Sequence, residues 1–182
     1  MKSKKNLLNK TRCYLVGHMQ YEDGRKWREY VESELQPLGI ILYNPYKKPF
    51  VKDVKEDEKA RLLMEKKMLD GKYDQVSKRM KRIRSYDLNL VDRSDFIIAH
   101  LYPTVASWGS AEEIVTACRM KKPIFVSIDG GKKKTPSWLL GMFPHKYIYN
   151  NPKQIVSMIK RLDKGTRKMD SDRWRLLSEE LR

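Results

Sequence analysis

The sequence predicts an α/β fold in which a parallel sheet of five strands is covered by helices on both faces. Short apolar runs alternate along the chain with longer segments of helical period. The runs are continuously apolar rather than alternating, as strands buried on both faces must be. Proline and glycine punctuate the helical segments, as in Gln36-Pro37-Leu38-Gly39 and Met120-Lys121-Lys122-Pro123, where neither residue lets a helix continue.

The first strand is expected at residues 13–17 and an amphipathic helix at 24–36, with Trp27, Tyr30, Val31 and Leu35 as its core stripe. Residues 39–43 follow as the second strand. A charged helical excursion out of the sheet then spans about residues 47–90, with helical patterns over 55–69 and 73–90 separated by Asp70-Gly71-Lys72. Residues 96–101 form the central strand, and a helix opening near Ser110 follows it. After the strand at 124–128 and a Gly-Gly-Lys-Lys-Lys loop, Thr135-Pro136-Ser137-Trp138 reads as an N-cap with proline at the first helical position. Residues 147–149 make a short last strand and 152–162 a last helix. With 182 residues the chain divides into a basic N-terminal tail (1–11), one α/β domain (12–164) and a basic C-terminal tail or helix (165–182) carrying Trp174, Leu176, Leu177 and Leu181.

Thirty-nine Lys and Arg against 23 Asp and Glu leave a net charge of +16, which favours a polyanionic substrate or partner and leaves nucleic acid open as one. Each basic cluster is more simply a solvated face. Two cysteines, Cys13 and Cys118, support no disulfide framework and no metal site, and are read as reduced thiols. No segment approaches the roughly 20 apolar residues of a membrane span, so a cytoplasmic location is expected. Gly-x-Gly-x-x-Gly and Gly-x-x-x-x-Gly-Lys-Ser/Thr are both absent, which disfavours a dinucleotide cofactor and P-loop chemistry. No cofactor and no metal are expected.

The turn Ser107-Trp108-Gly109-Ser110-Ala111-Glu112-Glu113 ends the central strand and opens a helix, placing a first-turn carboxylate at the mouth of a cleft. There a carboxylate is expected to stay ionised and can attack an electrophilic carbon. Glu112 and Glu113 point about 100° apart, so only one can face the cleft, and the stripe Ile114, Ala117, Cys118 leaves the choice open. Asp87, near the end of a basic helix, would supply a second carboxylate of the kind glycosidic chemistry needs. Asp95 reads as a cap or backbone-amide partner, and Asp92 as a surface residue. In Tyr14-Leu15-Val16-Gly17-His18-Met19-Gln20, Gly17 would let the backbone approach a ligand closely. His18 could bind a phosphate or base, although a lone loop histidine is more simply a hydrogen-bonded surface residue.

Taken together, Tyr14-x-x-Gly17, Asp87-Leu88, Asp95-Phe96-Ile97-Ile98-Ala99, Ser107-x-Gly109-x-x-x-Glu113 and Lys122-Pro123-Ile124 resemble the nucleoside 2-deoxyribosyltransferase superfamily over roughly residues 12–160. The resemblance implies a flavodoxin- or Rossmann-like sheet, Glu113 as nucleophile at C1′ of a (deoxy)ribose, Asp87 as second acid, and Tyr14 as a strand-end tyrosine beside the nucleophile. Ser107 stands where the 5′-monophosphate N-hydrolases carry a phosphate-binding serine. Ser137 matches a second one, contributed across a homodimer interface. Gly17, His18, Met19, Gln20 and Gly109 complete the implied substrate-binding set. The hydrolases' Gly-Ser-Ile-Arg is here Gly17-His18-Met19-Gln20, so Arg25 or His18 would have to replace the phosphate-binding arginine. The expected activity is cleavage of a (deoxy)nucleoside 5′-monophosphate, with the sugar passed to water or to another base. The competing expectations are a nucleic-acid-binding protein and a nucleotide sensor without turnover.

Overall fold

Alternation with period two along each strand decides which layer a side chain joins. The computed structural model describes residues 6–19, 22–47, 56 and 58–167. Its strands β1 (Arg12–Gly17), β2 (Ile41–Tyr43), β3 (Phe96–Leu101), β4 (Ile124–Ile128) and β5 (Ile148–Tyr149) pair in parallel throughout, in the order β2-β1-β3-β4-β5. The fold is therefore α/β and flavodoxin-like, with its topological switch point between β1 and β3. Ligands of such sheets bind outside the carboxyl ends of the strands at that point.

The α-helices among the described residues are α1 (Glu22–Leu35), α2 (Glu58–Leu69), α3 (Tyr73–Arg93), α4 (Trp108–Arg119), α5 (Ser137–Met142) and α6 (Pro152–Asp163). Cys13, Leu15, Phe96, Ile98 and Phe125 face one layer, where they pack with Trp27, Val31 and Leu35 of α1 and Ile155, Ile159 and Leu162 of α6. Tyr14, Val16, Ile97, Ala99, Ile124 and Val126 face the other, with Leu90 and Val91 of α3 and Ile114 and Ala117 of α4. Tyr14 thus belongs to the α3/α4 layer by strand parity alone.

Several expectations need correction. Among the described residues of the 47–90 excursion, which leaves the sheet as expected, α3 is more than a charged helix: Ile83, Asp87, Leu90 and Val91 form a buried stripe that packs it back on the domain. Nothing on α2 is buried, which fits an excursion there. Helix α4 begins at Trp108 rather than near Ser110, with Ser107 as N-cap. Helix α5 begins at Ser137, and Thr135 does not cap it: its hydroxyl donates to Lys132 O at 2.6 Å. Residues 6–11, expected within a basic tail, include the fully buried Leu8, whose N–H donates to Asp163 Oδ1 at 2.9 Å. Tail residues 168–182, including Trp174, Leu176, Leu177 and Leu181, lie outside the described residues.

Among the described residues, no helix is long and apolar enough to cross a membrane. Cys13 is buried and Cys118 half-buried, both as free thiols. Asp95 Oδ2 accepts from Arg12 N–H at 2.7 Å, the backbone pairing expected of it, and Asp92 is exposed. Lys122 donates to Asp92 O at 2.8 Å and also to Ser94 O, satisfying carbonyls where α3 ends.

Candidate active site

A cleft of about 480 Å³ opens at the switch point, between the carboxyl end of β1, helices α2 and α3, and the start of α4. Tyr14, Gly17, His18, Met19, Asp87, Ser107, Gly109 and Glu113 all line it. Ser137 does not: it is exposed on the short helix α5. Gln20 lies outside the described residues. Arg25 is an exposed side chain paired with Glu29 and does not line the cleft.

Helix geometry settles which glutamate faces inward. Ser110, Glu113, Ile114 and Ala117 form the buried stripe of α4 at i, i+3, i+4 and i+7. Glu113 thus sits at a core position, 8% exposed, while Glu112 turns toward α3. There Arg84 Nε lies 3.0 and 2.8 Å from the two Glu112 oxygens and Nη2 donates to the same carboxylate, a forked pair spanning the cleft wall. That pairing holds the Glu112 carboxyl below its ordinary range.

Tyr14 Oη donates to Glu113 Oε1 at 2.7 Å across 99 positions of sequence. Burial and the neighbouring Asp87 charge push Glu113 up to about 8, against the opposing Tyr14 hydrogen bond and the Arg28 charge. The expectation of a carboxylate simply ionised at neutral pH is corrected accordingly. Desolvation outweighs what the helix N-terminus offers. Burial and the two carboxylates raise the Tyr14 phenol well above its usual value, so it remains a donor. Asp87 is also 8% exposed and occupies the buried stripe of α3.

The β1–α1 loop is held from beneath by Arg28, which is fully buried. Its guanidinium donates to Leu15 O at 3.2 Å, His18 O at 3.1 Å, Gly24 O at 2.5 Å and Gly17 O at 2.7 Å. Gly17 is needed for protein packing as well as for any ligand, since a Cβ there would lie 2.8 Å from His100 O. At Gly24 the corresponding distance to His18 O is 2.5 Å. A Cβ on Gly109, by contrast, would meet nothing within 4 Å.

His18 is buried rather than a surface residue, edge-on to Tyr102 at 4.2 Å between centroids. Burial, with Arg28 close by, lowers its pKa, and His100 beside it falls to about 4. Both imidazoles are neutral near pH 7, so His18 can offer a hydrogen bond but no charge to a phosphate. Ser107 hydroxyl donates to Ser110 Oγ at 2.7 Å and accepts from Ser110 N–H at 3.4 Å as the α4 cap. Among the described residues no three of His, Cys, Asp and Glu converge as metal ligands.

Sequence reasoning missed Arg28, Arg84, and the apolar wall of Met64, Met80, Ile83 and Leu88. Arg28 had a signal, because it shares the helical stripe of Gly24, Trp27, Val31 and Leu35. The Arg84–Glu112 pairing had none, since 28 residues separate the partners.

No protein-family model matches the chain, and neither does any curated protein. Among solved structures it is similar to a 2-deoxyribosyltransferase from the psychrotolerant bacterium Bacillus psychrosaccharolyticus, at 16% identity and TM-score 0.46, over 65% of this chain and 72% of that one. It is similar to the Clostridium botulinum CMP N-glycosidase BcmB at 21% identity and TM-score 0.47, over 84% of this chain and 99% of that one. A conserved protein from Enterococcus faecalis V583 matches at 17% identity and TM-score 0.52, again over 84% and 99%. With that last protein the chain shares an overall α/β fold.

Proposed function

We propose that the protein cleaves the N-glycosidic bond of a (deoxy)nucleoside 5′-monophosphate. The observation that carries this reading is the buried Glu113 carboxylate, held at 2.7 Å by Tyr14 and facing the same cleft as a second buried acid, Asp87. Two carboxylates flanking one cleft suit a reaction through an oxocarbenium-like transition state. The motif resemblance to nucleoside 2-deoxyribosyltransferases supports the same chemistry.

Glu113, raised to about 8 beside Asp87, implies that the pair holds one proton at neutral pH. In the reactive arrangement that proton is on Asp87 and Glu113 is anionic, stabilised by the Tyr14 hydroxyl. A Glu113 oxygen attacks C1′ as the C1′–N bond breaks. The bonding pair leaves with the base, which takes the proton from Asp87. Water then attacks C1′, gives its proton to Asp87, and the C1′–O bond to Glu113 breaks to restore the carboxylate. A second base in place of water would make the reaction a transfer. The N–H groups at the start of α4 suit a phosphate. A homodimer would bring Ser137 of a second copy to that phosphate.

Each common ribo- and deoxyribonucleoside 5′-monophosphate is incubated with the protein, with and without a free base, and base release is followed by chromatography. Release is expected, and a new nucleotide with added base would identify a transferase. Salt-sensitive binding to DNA or RNA with no release from any monophosphate would overturn the proposal in favour of a nucleic-acid-binding protein.

The pH dependence has a definite sign. Activity falls as pH rises through about 8, because the proton needed by the leaving base is lost there. Tyr14→Phe removes a hydrogen bond that lowers the Glu113 pKa, so the alkaline limb shifts upward. The rate at pH 7 drops about 10- to 100-fold with the lost anion stabilisation. A pH–rate profile in which Tyr14→Phe left the limb in place would show that the hydroxyl does not tune the pair.

A further inference from the structure

We propose that Trp108 is the stacking platform for the aromatic base of the substrate, an assignment that rests on the N-glycosidic reading of the same cleft. Trp108 is the first residue of α4 and lines the cleft that holds Glu113 and Asp87, yet its indole is 88% exposed. An apolar ring left in water at a cleft mouth, near apolar walls, is a surface a ligand can cover favourably. The other walls are supplied by Met64 of α2 and Met80 and Ile83 of α3. Thioethers and an indole face together accept a flat ring of almost any substitution.

Distance along the helices sets which part of a substrate this surface would meet. Five residues of α4 separate Glu113 from Trp108, roughly 7.5 Å of rise, and seven residues of α3 separate Asp87 from Met80, roughly 10 Å. The Arg84–Glu112 pair ties the two helices between these levels. The cleft therefore runs outward from the carboxylates, past an ion pair, to an aromatic and thioether rim. If the carboxylates act on C1′, the rim lies about one ring system outward. Trp108 stands four residues before Glu112, on the face of α4 turned to α3, whereas the N–H groups at the helix start point along its axis. The nucleobase would thus extend along that face and the phosphate toward the N–H groups. Gly109, open on its Cβ side, keeps the adjoining wall clear.

Trp108 touches no reacting atom in this arrangement, so it contributes binding common to substrate and transition state. Trp108→Ala is expected to raise KM about tenfold or more, as loss of one base-stacking contact does, with kcat little changed. Trp108→Phe retains most of the affinity. Direct binding is read from tryptophan fluorescence in a Trp138→Phe background, since Trp138 is also largely exposed. Nucleoside 5′-monophosphates should quench the emission, ribose 5-phosphate should not, and Trp108→Phe in that background should abolish the response.

An unchanged KM in Trp108→Ala, or equal quenching by ribose 5-phosphate, would overturn the assignment. So would emission that follows protein concentration and ignores nucleotides, which would place a second copy over the indole. The two readings fail separately. Nucleotide quenching lost in Trp108→Phe, without base release from any substrate, would leave the platform standing and remove the glycosidase. Base release with unaltered KM in Trp108→Ala would do the reverse.

Discussion

Glu113→Ala is expected to abolish base release, by a factor on the order of 10⁴ or more, as removal of a covalent nucleophile does. Glu113→Gln should be equally inactive yet more stable than the natural protein at pH 8. The native Glu113 carboxyl sits at about 8 against an ordinary value of 4.5. Between those values the folded protein holds a proton that the unfolded chain gives up, so native stability declines as pH rises through this window. Glutamine carries no titrating group and removes that slope. Melting temperatures of both proteins from pH 5 to pH 9 test this: the curves should diverge with rising pH, with the Glu113→Gln variant higher. Parallel curves would mean that the carboxylate is not desolvated. Retention of base release in Glu113→Gln would remove Glu113 from the role of nucleophile.

Arg28→Ala should produce the largest loss of stability among the substitutions considered. The guanidinium is fully buried and donates to four backbone carbonyls of the β1–α1 region. Truncation leaves those acceptors buried without donors, at a cost of about 3–5 kcal/mol. In a domain of this size that lowers Tm by about 10 °C. Arg28→Lys retains the charge but not the planar fork, so it should recover less than half of the loss. Thermal unfolding of the three proteins decides the matter. Full recovery with lysine would show that charge rather than geometry holds the loop. Because Arg28 also opposes the upward shift of Glu113, whatever activity survives in Arg28→Ala should lose its alkaline limb at higher pH than the natural protein.

Much of the fold was legible because its determinants are local. Continuous apolar runs mark the strands, and the five expected are those observed among the described residues, in parallel, although the edge strand β2 is not buried on both faces and leaves Ile41 exposed. Helix ends could be located to within a few residues from Pro37, Gly39 and Pro123. They were misplaced where capping depends on backbone conformation, as at Ser107 and Thr135. Asp87 could have been separated from a solvated basic helix by its spacing from Ile83, Leu90 and Val91, a stripe hidden among Lys and Arg.

Local pattern along the chain was enough for the class of the fold, the residue types available for chemistry, and the placement of a carboxylate pair in the helix that follows a central strand, although the pair falls in the second turn of that helix rather than the first. Which carboxylate faces inward depended on the packed molecule. Packing brought Tyr14 to within 2.7 Å of Glu113, turned Glu112 onto Arg84, and placed Arg28 beneath the loop. It also raised Glu113 to about 8 and left both His18 and His100 neutral. The reason is that burial and charge proximity are sums over neighbours drawn from distant parts of the chain. A desolvation cost exists only once β1, α3 and α4 have closed around the same cleft, whereas a helical period or a proline stop is already complete within a dozen residues.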